Sequence, residues 1–134
     1  MASESDLAAQ LLRRASEDEA AARAMLPVPS VTDAIVGFHA QQAVEKSLKA
    51  VLAARRVEFP FIHDIAGLAE LCEQSGGLLP QELAGVDALT PYAAILRYDD
   101  SPAGAVDTQA ALQWAASAVS WARSVLESVE DRDA

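Results

Sequence analysis

The chain has a single cysteine, Cys72, among 134 residues. An internal disulfide is excluded, and so are the paired-cysteine motifs that hold zinc or run thiol exchange. Aromatic side chains are scarce: Phe38, Phe59, Phe61, Tyr92, Tyr98, Trp114 and Trp121 are the whole set. The core must therefore be mostly Ala, Leu and Val, and Ala is a good helix former and a poor strand former. No apolar run approaches the ~18 residues of a membrane span. The segment MASESDLAAQ is acidic and has no apolar centre, so it is not expected to act as a signal peptide. No glycine-rich phosphate loop and no Ser-His-Asp signature occurs. His39 and His63 have no cysteine or carboxylate cluster at ligand spacing, so neither a metal nor a cofactor is expected.

What is present is a globular composition, 51% apolar and 22% charged. The length suits one domain. Its core is expected over about residues 6–126, followed by a flexible acidic C-terminal tail. The net charge is −10. That balance opposes bulk attraction to DNA or anionic membranes and favours solubility, so a soluble cytoplasmic protein is expected. Positive charge is uneven, however. Between Ala34 and Arg56, Lys46, Lys49, Arg55 and Arg56 face Glu45 alone, a local balance of +3.

Helical spacing recurs along the chain. Ser3 or Ser5 can cap a first helix carrying Leu7, Leu11, Leu12, Ala15, Ala22 and Met25 inward, ended by Pro27 and Pro29. Thr32 or Asp33 caps a second, running to about Arg55 with Val36, Ala40, Val44, Leu48 and Val51 as its apolar stripe. Asp64 or His63 starts a short third helix, which the glycines of SGG, 75–77, end. Pro80 opens a fourth with Leu83, Val86, Leu89 and Tyr92 inward, and Pro91 predicts a kink or break in it. Asp107 or Thr108 caps the last, with Trp114 inward and Trp121 nearer the edge of its stripe. No strand pattern competes. Five helices with short connections imply an all-α, mostly antiparallel up-and-down bundle.

Three segments then stand in order: QQAVEKSLKA in the second helix, HDIAGLAEL at the third, and ILRYDDSP before the last. Together they resemble the HEPN family of small prokaryotic all-helical domains. The pattern Gln-x-x-Glu-Lys-x-x-Lys-Ala is matched by Gln42, Glu45, Lys46, Lys49 and Ala50. The His-Asp start is matched by His63 and Asp64, and the Arg-Tyr by Arg97 and Tyr98. The resemblance implies a helical bundle, often a homodimer, and binding of a nucleotide or RNA. It also implies a setting beside a nucleotidyltransferase in a toxin–antitoxin or defence pair. Some members are metal-independent ribonucleases that use an Arg and a His with four to six residues between them. Here Arg97 would need a His at 102–104, and those positions are Pro102, Ala103 and Gly104.

RNA cleavage without a metal needs a base for the 2′-hydroxyl and a cation for the developing phosphate charge. Arg97 can supply the cation, but His63 or His39 would have to come from another helix. No catalysis is therefore the leading expectation, with a ribonuclease using Arg97 and His63 or His39 as the alternative. A homodimerising module without a ligand is a third reading.

Gln42, Glu45, Lys46 and Lys49 share one stripe of the second helix. Glu45 and Lys49 can pair along the helix, which would make the stripe ordinary structure. Alternatively Gln42, Lys46 and Lys49 join Arg97 and Tyr98 in a ligand site, or the stripe is a subunit interface. Glu45 can balance only one of the three cations, and the surplus would favour a bound anion. A central helix of this length is expected to have its polar stripe partly covered.

Overall fold

Residues 3–60, 63–94 and 107–133 are described by the structure, a computed structural model. Four α-helices and two 3-10 stretches account for most of them: α1 (Glu4–Met25), α2 (Asp33–Ala54), α3 (Ile65–Gly76), the 3-10 stretches Gln81–Leu83 and Val86–Ala94, and α4 (Thr108–Asp133). Among the described residues there is no strand, and no helix is long and apolar enough to cross a membrane. The all-α bundle expected from the sequence is the architecture observed.

Local chemistry sets most boundaries. The Ser3 hydroxyl accepts from Asp6 N while Asp6 accepts from Ser3 N, a reciprocal cap for α1. Thr32 caps α2 by accepting from Ile35 N. Asp64 caps α3 by accepting from Ala66 N, and Asp107 accepts from Gln109 N at the start of α4. α3 ends where Gly77 takes φ 96°. α4 runs through Asp133, into the acidic C-terminal segment.

The fourth helical segment differs from expectation in kind. It is 3-10 and interrupted, because Gly85 adopts φ 82° between the two stretches and Pro91 lies inside the second. Proline removes a donor and a left-handed residue breaks the turn, so no continuous α-helix can form. Leu83, Val86, Leu89 and Tyr92 are nevertheless buried as their spacing required.

α2 is the central element and packs against α1, α3, α4 and the second 3-10 stretch. Its buried residues occupy more than the single predicted stripe, and include Ala43, Ala50 and Ala53 as well as Val36, Val44 and Leu48. α1 meets it through a seam of alanines, Ala8, Ala15 and Ala22, seven residues apart. The leucines expected inward on α1 flank that seam, and Leu7 is 40% exposed. Alanine brings the helix axes closer than leucine would. Trp114 and Trp121 both pack against the core while keeping an exposed edge.

The ring of buried Tyr92 lies on Gly37, where an added Cβ would sit 2.5 Å from Tyr92 Cε1. Gly37→Ala is therefore expected to lower stability by about 1–3 kcal/mol through overpacking. Urea unfolding measures it, and a change within ~0.5 kcal/mol, the range of neutral surface substitutions, would show that the ring yields.

Candidate functional site

The polar stripe of α2 is enclosed, and a carboxylate lies at its centre. Glu45 is 3% exposed. Its Oε1 accepts from Gln41 Nε2 at 2.8 Å and lies 2.9 Å from His63 Nδ1. Its Oε2 accepts from Lys49 Nζ at 3.0 Å. Gln41, itself fully buried, accepts in turn from Gln42 Nε2 at 2.8 Å. Two helical turns of α2 and the residue before the α3 cap thus converge on a single carboxylate.

A second cluster sits beside it, built between helices. Asp18 of α1 accepts from Lys46 Nζ through Oδ2, and its Oδ1 lies 3.0 Å from His39 Nδ1. The His39 ring is set edge-on to Phe38, with centroids 5.3 Å apart. Lys46 and Lys49 are mostly covered, with side chains 25% and 12% exposed. Partial cover of the stripe was expected; the charge balance was not. Asp18 neutralises Lys46 as Glu45 neutralises Lys49, so the two lysines leave no surplus between them.

The two histidines occupy separate clusters, each against its own carboxylate. His39 is the more enclosed, and the His63 side chain is 56% exposed. The Arg97 and Tyr98 positions of the expected ligand site lie outside the described residues. So does the segment 102–104, where a nuclease histidine would have to stand. Among the described residues no three His, Cys, Asp or Glu side chains cluster as metal ligands. Burial pushes the Cys72 thiol up to about 12, and its Sγ faces Leu48 O at 3.6 Å. It remains protonated and is no nucleophile.

Two members of the site escaped the sequence reading. Gln41 lies four residues before Glu45, a pairing visible in helical spacing, yet Gln42 matched the recognised pattern instead. Asp18 is 28 residues from Lys46 in sequence. Its signal was present: it falls three residues after Ala15 and four before Ala22, which places a carboxylate along the alanine seam.

Burial is the largest influence on Glu45 and opposes its ionisation. The hydrogen bonds from Lys49, His63 and Gln41, together with the charge of Lys49, outweigh it and hold the carboxyl below its ordinary 4.5. A depressed folded pKa adds stability above the unfolded value, and that stability is lost as pH falls through the folded one. Glu45→Gln is expected to cost about 3 kcal/mol at neutral pH, because it leaves covered Lys49 unpaired. The difference from the parent should shrink as pH drops below 4.5. Unfolding titrations across that range test it, and a pH-independent difference would contradict the assignment.

The family model for the HEPN domain matches residues 8–132. No curated protein and no solved structure matches the chain.

Proposed function

The chain belongs to the HEPN domain family, and from that premise we propose that it serves as a binding and interaction module without nuclease activity. In this reading it is one half of a toxin–antitoxin or defence-type pair in the cytoplasm. The other half is a nucleotidyltransferase, the chain self-associates as a homodimer, and its ligand is a nucleotide or an RNA phosphate.

The observation that supports the non-enzymatic part is the neutralised stripe. Metal-free RNA cleavage needs a cation free to meet the developing phosphate charge. Lys49 is engaged by Glu45 and Lys46 by Asp18. A phosphate at the stripe would have to displace a carboxylate from a covered lysine. The sequence in turn offers no histidine at 102–104, where the spacing from Arg97 would require it.

One observation favours the ribonuclease reading. His63 pairs Nδ1 with buried Glu45 while its ring stands open to solvent. A carboxylate that orients an exposed imidazole is the arrangement a general base requires. Arg97 would then have to supply the cation.

Incubation of the purified protein with single-stranded RNA and tRNA in a chelating buffer separates the two. No cleavage above background is expected. Cleavage that disappears in both His63→Ala and Arg97→Ala would overturn this reading in favour of the ribonuclease.

A further inference from the structure

The carboxyl ends of α2, α3 and α4 meet at one end of the bundle, and a pocket of about 530 Å³ opens between them. Arg55 and Arg56 reach it from the end of α2, Ser75 and Gly76 from the end of α3, and Arg132 from the last turn of α4. Among the described residues no carboxylate lines it. Three guanidinium groups without a lining acid stand out in a chain whose net charge is −10.

Two of the three arginines are held by specific structure. Arg55 Nη1 donates to Cys72 O at 2.9 Å and to Ser75 Oγ at 3.2 Å. Its guanidinium lies directly on Gly76, where an added Cβ would come within 2.2 Å of Arg55 Cζ. Arg56 is the one described non-glycine residue at positive φ, 61°. It follows the helix end, where glycine is the usual occupant because a Cβ is disfavoured there. Its contact with Glu4, Nε to Oε2 at 3.5 Å, is between exposed groups and contributes little.

Basic residues at helix carboxyl ends also offset the helix dipoles. Each end carries about half a negative charge, so three ends do not consume three full positive charges. We propose that this pocket binds a di- or triphosphate group, either inorganic pyrophosphate or the phosphate chain of a nucleotide. Planar guanidinium forks match phosphate oxygens in pairs. A single carboxylate or a lone phosphodiester would neutralise the cluster only in part, whereas a dense polyanion satisfies it. No aromatic ring lines the pocket among the described residues, so there is no platform on which a base would stack and the phosphates carry the recognition. The proposal rests on the phosphate reading above for its ligand class alone, and places the ligand on the arginines instead of the lysine stripe.

Isothermal titration of the full chain at low ionic strength, with pyrophosphate, ATP and adenosine as probes, tests the site. Arg56→Gly removes a guanidinium and also relieves the positive φ, so its thermal midpoint should hold or rise. Arg132→Ala removes a second charge from an exposed turn. Pyrophosphate and ATP are expected to bind, adenosine not, and each arginine variant should weaken binding about tenfold or more. Lys46→Gln should leave phosphate binding unchanged. Parent-like binding by both arginine variants would overturn the site, as would adenosine binding as tightly as ATP. Loss in Lys46→Gln alone would overturn this site and leave the phosphate reading intact. If neither phosphate binds the parent, both are overturned.

Discussion

Burying the Glu45 carboxylate is the constraint around which the α2 environment is arranged. A lone buried carboxylate would cost several kcal/mol or take up a proton. Here it is 3% exposed and ionised because Gln41, Lys49 and His63 surround it. Each partner is fixed by that demand. Gln41 must be buried although polar, Lys49 must lie back along the helix, and His63 must stand just before the Asp64 cap of α3. The same carboxylate therefore ties the start of α3 to the middle of α2.

α1 is held by a related arrangement. Its alanine seam brings it close to α2, and the close approach is what lets Asp18 reach Lys46 across the interface. Alanines bury little area each, so this interface has less apolar driving force than a leucine seam would. A charged hydrogen bond within it adds direction, because Asp18 must face Lys46 for the register to be satisfied. The stripe thus belongs to the scaffold, and Arg55, Arg56 and Arg132 stand apart from it, around the pocket at the carboxyl ends of α2, α3 and α4.

Local features were the ones most readily read from the sequence. Ser3, Thr32, Asp64 and Asp107 each cap a helix through bonds spanning two or three residues, so their roles follow from type and position alone. Pro91 pointed to a kink or break at its own position, but it lies inside the second 3-10 stretch and the interruption falls earlier, at Gly85. Gly85 did not announce its φ of 82°, since a lone glycine in a helical pattern is compatible with either state, and the segment proved to be 3-10. The stripe was legible as a stripe but not as a neutral one. Its charge balance depends on Asp18, which only the packing of α1 on α2 brings near. The arginine pocket was legible only through Arg55 and Arg56, the end of the basic stretch 34–56. Its third member stands on α4, and three helix ends must meet before it forms.

The Asp18–Lys46 pair is where the neutral stripe is most directly open to measurement. In a double-mutant cycle of Asp18→Ala and Lys46→Ala, followed by denaturant unfolding, the coupling energy isolates that contact from the rest of the fold. A favourable coupling of about 1 kcal/mol or more is expected for a largely covered, charge-assisted pair. Additive single effects, within about 0.3 kcal/mol, would mean that Lys46 is not held by Asp18. The stripe would then carry the free positive charge this account denies it.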